Sequence, residues 1–404
     1  MFEGLDKINW KKLHHAYGSA EDVPDLLHAL ASQDSKARKK AYYELWGNIY
    51  HQGSVWQASP YTISFLYELI AAEDTPDKED VINYILYLAT GEPDYYLPFG
   101  MGSWESFDED YKNWQAKRES WLAFGQAVST KDEDKRSYNS DEHDNARLDC
   151  YFEAAQGVPI LIKASYSADE DMRVYAVWAL AYFPRLLNKE AITRICELAK
   201  AGKTPREQAG ALFALSMISY QMQNVDYLPI FEELFKADDI FVKTAAAVGI
   251  IIVNGFEDGQ DAVLFIASLS PEAMEEIDEH ETPFCGEIAS YISAVLELAG
   301  KDDVARILPN MAASLQGITE IASVGVTSSI LALIEKANPQ LKKPYTDFAA
   351  FNSVSQAALR AIAEYGGWQL GGSGVFVNYI SMIRSWGYPD SWDEFKKFVG
   401  LLEE

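Results

Sequence analysis

Cysteine is scarce in this chain. Cys150, Cys196 and Cys285 are the only three in 404 residues, far apart and without a Cys-X-X-Cys pair. That excludes a disulfide framework and a cysteine zinc site, and it fits a reducing compartment. Positive charge is short as well: 34 Lys and Arg face 61 Asp and Glu, for a net charge of −27. Affinity for a phosphate backbone comes from Lys and Arg, so this balance speaks against nucleic acid. It suits solubility, or a basic protein partner. Long apolar runs are missing. "AAAVGIIIVNGF", residues 245–256, is too short to span a bilayer, and the opening "MFEGLDKINWKKLHHAYG" has no apolar core of a secretory signal. The expectation is a cytoplasmic protein with no membrane contact.

Catalytic and cofactor motifs are missing too. There is no His-Glu-X-X-His. "GGWQLGGSG" (366–374) lacks the Gly-Lys-Ser/Thr of a phosphate loop and the preceding strand of a dinucleotide site. Ser373 lacks a nucleophile-elbow context, so the segment reads as a flexible connector anchored by Trp368. His14-His15 has no second ligand pair, and "DEHD" (141–144) sits in a charged stretch that reads as a solvated loop. The sequence predicts no catalytic residue, no metal and no cofactor.

What is present is repetition. "DSKARKKAYYEL" from Asp34, "DEDMRVYAVWAL" from Asp169 and "DIFVKTAAAVGI" from Asp239 share an Asp, a basic residue and an Ala at fixed offsets. "TPREQAGALFAL" from Thr204 is a degenerate copy that keeps Arg206 and Ala209 and has no Asp. An Asp before a helix accepts hydrogen bonds from free backbone N–H groups, and the Ala with its apolar neighbours forms a packed face. Upstream of the three clear copies, "DVPDLLHAL", "GVPILIKAS" and "DYLPIFEELF" each carry a proline where a first helical turn tolerates one. Each unit is therefore expected to be a helix pair. Arg173 to Arg206 is 33 residues and Arg206 to Lys243 is 37, the range of two-helix solenoid repeats. Strand signals are nearly absent.

The Asp…Val-Arg…Ala pattern resembles HEAT repeats. The stretch "AYGSAEDVPDLLHALASQDSKARKKAYYELWGNIYHQGSVWQAS" resembles the N-terminal signature of a family of bacterial HEAT-like proteins, with Tyr-Gly, Val-Pro-X-Leu-Leu, Arg-X-X-Ala and His-Gln-Gly in order. The resemblance implies an all-α, right-handed α-solenoid of HEAT-like helix pairs and assigns no activity. Within it, residues 1–90 are expected as N-terminal repeats, 91–145 as an aromatic and charged insertion, 146–345 as further repeats and 346–404 as a C-terminal helical cap. The insertion holds Tyr95, Tyr96, Phe99, Trp104, Phe107, Tyr111, Trp114, Trp121 and Phe124, followed by the charged "STKDEDKRSYNSDEHDN".

The candidate binding residues follow from this frame. His51 and Gln52 lie at the turn after a helix, where they either bond exposed helix carbonyls or, with Trp46 and Trp56, form a ligand-facing ridge. Trp104 belongs to the insertion. Glu275, Glu276, Asp278 and Glu279 lie in "EAMEEIDEHE", which reads as a solvated loop after a helix or as a docking patch for a basic partner. The leading expectation is a non-catalytic protein-binding solenoid, in its concrete form an inhibitor or immunity-type protein occluding a basic toxin or effector. The alternative is an enzyme or small-ligand protein with a site near His51, lidded by 91–145. A nucleic-acid enzyme, as in the alkylpurine DNA glycosylases built on a similar scaffold, would need a basic channel that the composition does not offer.

Overall fold

The computed structural model describes residues 1–91, 93, 99–100, 104–126, 140–283, 287–370 and 374–402. Tyr95, Tyr96, Cys285 and Ser373, the side chains of Phe124 and of 141–144, and most of the charged stretch lie outside the described residues. The chain is all-α, with 69% helix against 3% strand. It divides into two compact units, Met1–Leu198 and Ala199–Glu404.

The first unit holds α1 (Val23–Leu30), α2 (Ser35–Asn48), α3 (Ser59–Ala71), α4 (Lys78–Thr90), α5 (Phe107–Gln126), α6 (Ser140–Gln156), α7 (Val158–Ala164) and α8 (Glu170–Leu180). α9 (Lys189–Ala201) carries the chain into the second unit. There follow α10 (Pro205–Met222), α11 (Leu228–Leu234), α12 (Ile240–Asp258), α13 (Gln260–Ala267), α14 (Pro271–Asp278), α15 (Ile288–Leu296), α16 (Lys301–Ser314), α17 (Glu320–Ala337), α18 (Ser353–Glu364), α19 (Val377–Ser385) and α20 (Trp392–Phe398). α1 packs on α2, α7 on α8 and α11 on α12, so sequence neighbours pair as the three proline-led segments predict, and α16 packs on α17 likewise. Pro24, Pro159 and Pro229 all fall in the first turn of their helices.

The N-caps give the repeat its register. Asp34, Asp169 and Asp239 each stand in extended backbone, and each side chain accepts from N–H groups of the following turn. Thr204 does the same for α10, accepting from Glu207. Aligned on these caps, the fourth position holds Arg38, Arg173, Gln208 and Lys243, and the seventh holds Ala41, Ala176, Ala211 and Ala246, all four buried. This corrects the sequence alignment of the degenerate copy by two residues: Gln208 and Ala211, rather than Arg206 and Ala209, are the equivalents. Asp169 to Thr204 and Thr204 to Asp239 are then 35 residues each. Arg38 and Arg173 are buried and donate to the carbonyls of Ser32 and Ser167, two residues before their caps, at 2.9 and 2.8 Å. Arg206 instead donates to Glu281 O at 2.9 Å.

Buried tyrosines lace the first unit together. The hydroxyls of Tyr67, Tyr84 and Tyr151 donate to the carbonyls of Ala154, Leu45 and Tyr182, so long side chains satisfy main-chain acceptors across helix boundaries. In the second unit α12 is the central helix, covered by α10, α11 and α13. Among the described residues it alone is long and apolar enough to cross a membrane by length and composition, and 61% of the tested window is buried within the protein. The apolar run 245–256, which the sequence reads as too short to span a bilayer, lies inside this longer helix, Ile240–Asp258. Gly255, at φ 74°, breaks the helical backbone near its end.

Strand is confined, among the described residues, to three antiparallel two-residue hairpins: β1 (His14–His15) with β2 (Gly18–Ser19), β3 (Tyr50–His51) with β4 (Ser54–Val55), and β5 (Gln369–Leu370) with β6 (Gly374–Val375). The third forms from the glycine-rich "GGWQLGGSG", with Trp368 buried beside it and its Nε1 donating to Ile362 O at 3.2 Å.

Candidate functional site

His51 lies in a hairpin. α2 ends at Asn48, and the chain turns back through Gln52 (φ 50°) and Gly53 (φ 81°). Two successive left-handed residues match the two-residue turn whose twist fits antiparallel strands, so Gly53 serves that turn and not the helix terminus. The His51 ring does act on the helix end, as one of the two sequence readings has it. Its Nδ1–H donates to Gly47 O at 3.0 Å, which satisfies a carbonyl of the last turn of α2. Gln52 is exposed at the hairpin tip.

The first hairpin lies against the same helix end. Ala16 N–H donates to Asn48 O at 3.0 Å, and Ala58 N–H donates to His14 O at 3.0 Å. His15 is buried. Its Nδ1 accepts from Tyr17 N–H at 3.0 Å, which leaves Nε2–H to donate to Asp22 Oδ1 at 3.0 Å, while Asn48 Nδ2 donates to the other Asp22 oxygen at 2.8 Å. The two histidines are therefore strand residues with separate structural partners. The Tyr17 ring packs edge-on to His51 with centroids 5.5 Å apart. Among the described residues no carboxylate or hydroxyl hydrogen-bonds the second ring nitrogen of His51, and no group of three or more His, Cys, Asp or Glu is placed to hold a metal ion.

The tryptophans fall into distinct clusters. Trp46 is half-buried among Tyr50, Tyr84 and Tyr87 at centroid distances of 5.0, 5.1 and 4.6 Å. Trp56 is half-buried just before α3, its N–H donating to Ser59 Oγ at 2.7 Å. Trp104 packs on Phe107, Tyr151 and Phe152, with Nε1 donating to Asp110 Oδ2 at 2.9 Å. No described hydrogen bond or ring contact joins it to His51.

The acidic segment is a helix, where the sequence reading has a loop. α14 buries Met274 and Ile277 and exposes Glu272, Glu275, Glu276 and Glu279. Asp278 stands apart from that face: it is half-buried and its Oδ1 accepts from Ile288 N–H at 2.7 Å, holding the start of α15. Burial raises its pKa to about 6, with the Ile288 bond opposing the rise and Glu287 adding to it.

A second carboxylate group escaped the sequence reading. Glu153 is buried on α6 and takes both Nε and Nη2 of Arg118 from α5, the latter at 2.9 Å. Asp149, one turn earlier, is pushed up to about 7 by burial and then by the Glu153 charge, with Lys117 opposing. Tyr61 of α3 closes the group by donating to Trp121 O at 2.5 Å. The signal available in sequence was the four-residue Asp–Glu spacing on α6.

No family model matches the chain, and no curated protein does. A solved structure described as an engineered protein is similar at 16% identity over 94% of this chain and 98% of that one, with a TM-score of 0.25. That likeness is too slight to carry an argument about fold or function.

Proposed function

We propose that this chain is a non-catalytic, protein-binding α-solenoid of HEAT-like helix pairs that presents an acidic surface to a basic protein in the cytoplasm. Its concrete form is an inhibitor or immunity-type protein that occludes a basic toxin or effector. The observation that carries the reading is the exposed carboxylate face of α14, held rigid over Met274 and Ile277 in a chain of net charge −27. An acidic field of this kind speeds encounter with a basic partner and rejects acidic ones. The 35-residue register of caps and alanines supports the repeat architecture, and the Tyr-Gly to His-Gln-Gly signature supports kinship with the bacterial HEAT-like family. His51, in this reading, fixes the end of α2 and does no chemistry.

The test is capture of the tagged protein's partners from its native cells, eluted in steps of rising salt and identified by mass spectrometry. One stoichiometric basic protein released by salt supports the proposal and names the target. A preparation that carries a tightly held small molecule and no protein overturns it.

A further inference from the structure

We propose that the outer face of α2, continued by the hairpin residues Tyr17 and His51, is a second docking surface, of opposite sign, for an acidic segment of a protein partner. Arg38, Ala41, Leu45 and Asn48 are buried on one side of α2. Lys36, Lys39, Lys40, Tyr43 and Gly47 follow the three- and four-residue steps of the opposite side. Lys36 and Lys39 are exposed and pair with no carboxylate among the described residues, while Lys40 reaches Glu44 at 3.6 Å, an exposed pair that a competing carboxylate displaces readily. Tyr43 is 81% and Tyr17 73% exposed. The Tyr17 ring lies beside the helix at Gly47, where a Cβ would stand in ordinary van der Waals contact with its edge at 4.0 Å. Lys36 to Gly47 spans about 16 Å at the helical rise, and Tyr17 with His51 extends the strip beyond it.

Charge complementarity chooses the occupant. Residues 1–47 carry as many basic side chains as acidic ones, in a chain whose total is −27. A few lysines over 16 Å match the carboxylates of one short acidic segment, and the two tyrosines offer rigid contact area to its apolar residues. A nucleic acid would need its phosphates neutralised over a longer track than the three lysines of this face provide.

The experiment is fluorescence anisotropy of the full chain against a labelled, helix-stapled peptide with glutamates at three- and four-residue steps and leucines beside them. Wild type is expected to bind it, with affinity falling about tenfold or more between low and high salt. The double variant K36E/K39E is expected to lose about tenfold or more, and Y17A and Y43A each severalfold. All four positions are exposed, and circular dichroism of each variant is the check that it folds. Reversal of α14 by E275K/E276K/E279K is expected to leave this binding in place, which separates it from the basic-partner reading. The proposal is overturned if wild type fails to bind, if the α2 variants bind equally well, or if an oligothymidylate of equal charge binds more tightly. It is also overturned if the α2 variants abolish a self-association of the chain, because the occupant is then a second copy.

Discussion

His51 and Arg173 show how single side chains fasten a helix end, or the turn before a helix, through main-chain carbonyls. Replacing His51 by Ala removes the donor to Gly47 O and the edge-on contact with Tyr17, so a loss of about 0.5–1.5 kcal/mol is expected by chemical denaturation. A change in any catalytic activity of the protein without that loss would contradict the structural role. Arg173→Met is expected to cost about 1–3 kcal/mol, since the buried guanidinium and its part-buried hydrogen bonds to the carbonyls of Ser167 and Ala168 are lost. Arg206→Met is expected to cost less, because its guanidinium bonds an exposed carbonyl. Equal losses would restore Arg206 as the repeat equivalent. Sequence pattern could find the Asp caps, because a cap acts on its own next turn. It misaligned the copy at Thr204 because Thr and Asp cap alike while only Asp was being matched.

At the scale of elements, glycine and carboxylate positions decide which helices lie close. A Cβ at Gly249 of α12 would land inside the buried ring of Phe231 from α11. Gly249→Ala therefore lowers stability by about 1–3 kcal/mol by overpacking, although Ala is the better helix former by about 1 kcal/mol. A higher melting temperature in that variant would contradict the packing. The seam between α5 and α6 is expected to depend on pH through Asp149. Its folded pKa, about 7, lies above the ordinary carboxylate value, so the folded state holds this proton more tightly. The stability it contributes is complete below about pH 4, falls as pH rises towards 7, and is flat above. Asp149→Asn should therefore raise the melting temperature at pH 8 relative to wild type and change it little near pH 4. An equal effect at both values would remove Asp149 as the titrating group. The paired helices were legible in apolar spacing and proline placement, whereas the two-residue hairpins were not. Segments that short carry no alternation to read: β3–β4 turns on positive φ at Gln52 and Gly53, and the β1–β2 turn is held to the end of α2 by Ala16 N–H donating to Asn48 O.

For the whole molecule, charge is the property that sequence states most fully and on which the proposed function rests. Net charge gave the sign of the field, and helix α14 gave it a place, with four glutamates outward and Asp278 turned in to hold α15. That division was hidden in sequence, where all of the acids in "EAMEEIDEHE" look equivalent until the burial of Met274 and Ile277 fixes the helix face. The most direct measurement of the account is the affinity of the natural partner, once captured, for wild type and for E275K/E276K/E279K across a range of ionic strength. The account predicts tight binding that weakens steeply with salt, and a charge-reversed variant that binds at least about tenfold more weakly with a shallower salt dependence. Equal affinities and equal salt slopes for the two proteins would contradict it.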